Sequence, residues 1–196
     1  MYNKTHGFTL IELLVVMSVM ATLASAIIFA TIPVREQARD GQRQADVRMI
    51  EVALTLYKQK YGRYPERCSN GQAWSGQVGT TYACSSGNRY IVDLAPEFIP
   101  ELPRDPSSVS GNAGYVYTTN SDGSVYKFMV KNTVESDAVT VDHPFRSCSD
   151  GCNPSISHCQ SGNSQFRSSY AVWGGLDTSV SADIRDNTDQ IICDIP

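Results

Sequence analysis

The chain has 196 residues, a formal net charge of −4 and a pI of about 5.3. That length suits one domain with an appendage, and the acidity excludes a general nucleic-acid binder, which would be basic. Charged residues make up only 18%, below the roughly 25% of a soluble domain; the deficit lies near the N-terminus, so a lipid-like segment precedes a water-facing one.

The lipid-like segment comes first in chain order. Leu13 to Ile32 holds 20 uncharged residues, about what a helix needs to cross roughly 30 Å of hydrocarbon. Pro33 and Arg35 mark its exit. A secretory signal peptide is one reading, since Lys4 is basic and Ala24-Ser25-Ala26 matches a cleavage pattern. The apolar run nevertheless continues through Ile27-Ile28-Phe29, longer than a usual h-region of about 7–15 residues. Glu12 has no use in such a region, nor in a plain single-pass anchor, because a carboxylate in hydrocarbon costs a few kcal/mol. Counting Lys and Arg at the flanks favours a cytoplasmic C-terminal side. The cysteines favour the opposite and outweigh it. All six, Cys68, Cys84, Cys148, Cys152, Cys159 and Cys193, follow the apolar segment, as disulfides in an oxidising exterior would. Cys68 is expected to pair with Cys84 in a small loop, leaving the other four to pair among themselves.

Gly7-Phe8-Thr9-Leu10-Ile11-Glu12 resembles the processing site of the type IV pilin and type II secretion pseudopilin superfamily. The resemblance implies cleavage between Gly7 and Phe8 by a prepilin peptidase, with N-methylation of Phe8. Loss of the leader 1–7 removes Lys4 and would shift the formal charge from −4 to −5. It also implies a use for Glu12, whose carboxylate would meet the Phe8 amine of a neighbouring subunit during filament assembly. A buried charge is tolerable when paired. Family members often carry Gly and Pro inside this helix where Ala21 and Phe29 stand here; any kink is expected near Pro33 instead.

Beyond Pro33 the pattern becomes amphipathic. Val47, Ile50, Leu54, Tyr57 and Tyr61 recur at spacings of three and four, which predicts one apolar helical face. Met49, Ala53 and Leu56 widen it. Arg39, Arg43 and Asp46 are expected in wetter first turns, with Gly41 a weak point and Gly62 a C-terminal cap. Phe8 to Tyr61 as one helix would be roughly 80 Å long. The strings Tyr61-Gly62-Arg63-Tyr64-Pro65 and Leu102-Pro103-Arg104-Asp105-Pro106 are similar to the same family, and the likeness extends over residues 1–130.

Gly114 to Val130 predicts a hairpin, two Tyr- and Val-rich runs around Asn120-Ser121-Asp122-Gly123. Residues 138–143 are expected as a third strand. Residues 169–176 and 190–195 look like further short strands. The expected fold is α+β: a long N-terminal α-helix, membrane-spanning in its first half, packed on a small antiparallel sheet, with a disulfide-stapled C-terminal extension. The divisions are a leader 1–7, a transmembrane and polymerisation half 8–33, an amphipathic half 34–61, a head 62–147 and a cysteine-rich extension 148–196.

Three chemical candidates stand beside the assembly site. Cys148, Cys152 and Cys159 with His143 or His158 could hold zinc, but their spacing is not a regular zinc pattern and disulfides suit an exported head better. Asp177, Asp183, Asp186 and Asp189 could wrap calcium, with Asp183 first; a solvated polar loop is the alternative. Tyr115, Tyr117, Tyr126 and Phe128 could stack on bases, yet the acidic balance favours core packing. No phosphate loop or nucleophile motif points to an enzyme. The resemblance implies a filament subunit in the inner membrane, its head outside, whose partners are copies of itself, other pilin-like subunits, the peptidase and an assembly platform. Nucleic acid is not an expected partner. The alternative is a minor pilin or anchored surface module whose cysteine-rich region binds a ligand.

Overall fold

The computed structural model describes residues 7–136, 139–148, 152, 159–175 and 193. Two compact units divide the chain between Ala38 and Arg39. In the first, residues 10–38 belong to the helix α1, Leu10–Tyr61, which has Pro33 in its interior. From Gly7 to Ile28 every side chain is exposed. Three hydroxyls in this run bond back onto the helix: Ser18 to the Val15 carbonyl, Thr22 to that of Val19 and Ser25 to that of Thr22, each at 2.8 Å. Such back-bonding leaves no hydroxyl unpartnered in an apolar setting.

In the second unit, the C-terminal half of α1 lies on a four-stranded antiparallel sheet. Its strands are β1 Ser75–Gly76, β2 Gly114–Thr119, β3 Tyr126–Lys131 and β4 Tyr170–Gly174, in that spatial order. The hairpin pairs Gly114 with Lys131 and Thr119 with Tyr126. Its turn needs Gly123: φ is 70° there, and a Cβ would stand 2.8 Å from the Tyr64 carbonyl oxygen. Gly62, at φ 76°, ends α1 by donating its N–H to the Lys58 carbonyl at 2.8 Å.

Alternation along the strands separates two apolar layers. Tyr115, Tyr117, Phe128, Val130, Tyr170 and Val172 join Val47, Ile50 and Leu54 of the helix in the main core. Val116, Met129 and Ala171 face the other way, onto Trp74. Lys127 and Lys131 share that second side and are buried, Lys127 over the Trp173 ring and Lys131 over that of Tyr82. The sheet is therefore covered on both faces, where the sequence led us to expect one. The four aromatics weighed for base stacking are all core residues. A short helix α2, Ser164–Arg167, is capped by the Asn163 side chain and buries Phe166.

Three expectations are corrected. Residues 139–143 form no strand, and Ala138 lies outside the described residues. Asn132 turns the chain out of the ladder at φ 56°, and β4 pairs along β3 from Tyr126 to Val130, so that edge is already taken. Met49, Leu56 and Tyr61 are exposed rather than part of the packed stripe. Arg43 is buried, not in a wet first turn, as is its neighbour Asp40. Of the expected strand at 190–195 only Cys193 is among the described residues, whereas 169–176 supplies β4.

Candidate functional site

The N-terminal site is built from Gly7, Phe8, Thr9 and Glu12. Thr9 immediately precedes α1. Its N–H donates to Glu12 Oε2 at 2.9 Å, its hydroxyl donates to the same oxygen at 2.7 Å, and the Glu12 N–H returns to Thr9 Oγ1 at 3.4 Å. This is a reciprocal capping box: two orphan donors of the first turn are satisfied by two side chains three residues apart. A carboxylate in the first turn also suits the positive end of the helix dipole. Thr9 was not singled out from the sequence, although the Thr-x-x-Glu spacing ahead of an apolar run is the signal that finds it.

Around this polar knot the surface is apolar. Phe8 is 89% exposed and Leu10 83%, and the helix is long and apolar enough to cross a membrane. An exposed apolar run of this extent needs lipid or other helices to cover it. Glu12 remains the one ionisable group from Gly7 to Val34. Its carboxylate is held by its own chain through Thr9, so the group is hydrogen-bonded before any neighbour arrives.

A second polar constellation lies in the head, centred on Arg43. The guanidinium donates from Nε and Nη2 to the two oxygens of Asp105, both at 2.9 Å, and from Nη1 to Asp40 at 2.5 Å. Nη2 also reaches Glu135 and Ser107, each at 3.0 Å. Arg39 closes the cluster with a two-pronged pair to Glu135. The acids are positioned by the backbone: Asp40 accepts the N–H groups of Glu135 and Ser136, and Asp105 accepts that of Ser107. One buried cation thus joins α1, the loop before β2 and the chain leaving β3. Burial opposes ionisation of Asp105, but its hydrogen bonds to Arg43 and Ser107 win and hold its carboxyl below the ordinary range. Hydrogen bonds from Arg39 hold Glu135 low despite some burial. Nearby, burial pushes Asp46 up, against the hydrogen bond it accepts from Tyr115 at 2.8 Å.

All six cysteines are paired, as Cys68–Cys84, Cys148–Cys159 and Cys152–Cys193. The expected small loop is present, and the cysteines weighed for zinc are disulfides. Asp177, Asp183, Asp186 and Asp189 lie outside the described residues.

Residues 2–28 match the prokaryotic N-terminal methylation motif family. The type II secretion system core protein G of Klebsiella pneumoniae is 30% identical over 106 residues, 53% of this chain and 70% of that protein. The chain belongs to the pilin and pseudopilin superfamily. The core protein G of Aeromonas hydrophila is likewise 30% identical, over 53% of this chain and 68% of its own length. That of Pectobacterium carotovorum subsp. carotovorum is 30% identical over 103 residues, which span only 62% of the relative. No solved structure matches the chain.

Proposed function

We propose that this pseudopilin-like chain is a structural subunit of a type II secretion pseudopilus. A prepilin peptidase cuts between Gly7 and Phe8, and the Phe8 amine is methylated. The processed subunit sits in the inner membrane by its single apolar helix, with the disulfide-bonded head outside. An inner-membrane assembly platform then moves it into a helical filament of copies of itself and other pilin-like subunits. The role is structural and needs no catalysis.

The observation that carries this reading is the Glu12 carboxylate on an otherwise apolar, wholly exposed helix turn. In the uncut chain Thr9 satisfies it. After the cut, a cationic Phe8 amine exists on every neighbour, and a carboxylate already in apolar surroundings gains a partner of opposite sign. Exchange of lipid for neighbouring helices then costs little, because both are apolar.

The test is Glu12→Ala in cells that hold the assembly machinery, followed by membrane fractionation and electron microscopy of sheared filaments. The expected variant inserts into the membrane at the normal level and forms no filaments. Normal filaments from Glu12→Ala would sink the proposal. Calcium held by Asp177, Asp183, Asp186 and Asp189 is a further part of this reading, supported by the density of hard oxygen donors in that segment.

A further inference from the structure

The four C-terminal cysteines are not two separate staples. The Sγ atoms of Cys148, Cys152 and Cys159 all lie within 4.8 Å of one another, although Cys148 is bonded to Cys159 and Cys152 to Cys193. The sulfur of one disulfide therefore stands beside both sulfurs of the other. Cys148 and Cys152 are buried, whereas Cys159 and Cys193 are partly exposed. The remaining pair, Cys68–Cys84, is outside this cluster.

We propose that Cys193 is a thiol–disulfide exchange site for a dithiol, and that Cys148, Cys152 and Cys159 form the exchange unit behind it. Exchange proceeds by attack of a thiolate on one sulfur of a disulfide, through a mixed disulfide. A thiolate of the dithiol attacks the Sγ of Cys193, a partly exposed residue. The Cys193–Cys152 bond breaks and Cys152 leaves as a thiolate. The second thiolate of the dithiol resolves the mixed disulfide, so that Cys193 becomes a thiol and the dithiol is oxidised by two electrons. The Cys152 thiolate is then next to the Cys148–Cys159 bond. Attack on either sulfur forms a new bond to Cys152 and expels the other cysteine as thiolate. No net electrons move in this second step. One disulfide persists among the three clustered sulfurs, and Cys193 keeps a free thiol.

The consequence follows from chain topology. The Cys152–Cys193 bond closes a separation of 41 residues, whereas Cys148–Cys159 closes 11. In the chain-entropy view the longer closure constrains the unfolded chain more. Exchange therefore opens the large closure, keeps one small closure within residues 148–159, and leaves the Cys193 thiol free to exchange with a further disulfide, including the Cys152–Cys193 bond of a second copy.

The experiment uses full-length protein in detergent. Cys193→Ser leaves Cys152 without its partner. After acid quenching and alkylation, peptide mapping should find the label shared among Cys148, Cys152 and Cys159, with new linkages to match. Label confined to Cys152, with Cys148–Cys159 intact, would overturn the proposal. A second arm keeps it falsifiable should the variant fail to fold. Unmodified protein is treated with less than one equivalent of dithiothreitol. The expected product has Cys152 joined to Cys148 or Cys159, and both Cys193 and the remaining one of that pair alkylated. Equal alkylation of Cys152 and Cys193 with no new linkage would overturn it.

Discussion

Arg43→Ala removes the cation at the centre of the head. The guanidinium is fully buried and bonds to Asp105, Asp40, Glu135 and Ser107. The Asp105 side chain is equally buried, Asp40 is 3% exposed and Glu135 27% exposed. Without the cation, two carboxylates face each other in a site with little water. Removing one partner of a buried ion pair costs about 3–5 kcal/mol. The lower half of that range follows if Arg39 swings in to serve Asp40 as well as Glu135. For a unit of roughly 150 residues, each kcal/mol lowers Tm by about 2–4 °C, so the variant is expected to melt about 6–20 °C lower. Thermal unfolding of the full-length protein in detergent, followed by near-ultraviolet circular dichroism, gives the number. The double variant Arg43→Met/Asp105→Leu should recover part of the loss, since it removes one of the two stranded carboxylates and leaves Asp40 with the N–H groups of Glu135 and Ser136. A Tm for Arg43→Ala within about 2 °C of the parent would refute the argument, because a stranded pair of buried acids cannot cost so little.

Two further predictions concern the head. The His143 ring stacks on Tyr170 at 5.2 Å, and its Nδ1 accepts the Phe145 N–H at 3.1 Å. Burial lowers its pKa from the ordinary 6.5, so its contribution to stability is complete above that value and is lost as pH falls below it. Tm should therefore fall as the pH drops below about 6.5, and His143→Phe should flatten that slope; equal slopes in the two proteins would contradict it. For calcium, Tm should rise at millimolar concentration and the rise should vanish in Asp183→Ala. No shift in the parent protein would remove calcium from the account.

Much of the fold was legible because local chemistry and tertiary packing agree. The hairpin turn carries its own instruction in Asn120 to Gly123, and Gly62 ends a helix where only a left-handed residue completes the cap. Val47, Ile50 and Leu54 announce a buried face by spacing alone. What escaped depends on partners distant in the chain. Arg43 reads as a surface residue until Asp105, 62 positions later, and Glu135, 92 positions later, surround it; nothing near Arg43 in sequence signals that burial. Residues 139–143 have a strand-like pattern, but Ala171 already donates its N–H to the Phe145 carbonyl at 2.9 Å, and β4 occupies the ladder. At the N-terminal site the motif points to Gly7, Phe8 and Glu12. Thr9 was within reach of the capping rule, and its two hydrogen bonds keep the acid partnered within its own chain.

The central claim is that the chain is cut after Gly7 and built into a filament through the helix that starts there. Mass spectrometry of the N-terminal peptide from sheared filaments tests it most directly. The account predicts a mature chain beginning at N-methylated Phe8. Protein found only in the membrane or the medium, beginning at Met1 or at Ile27 after cleavage at Ala26, would contradict it.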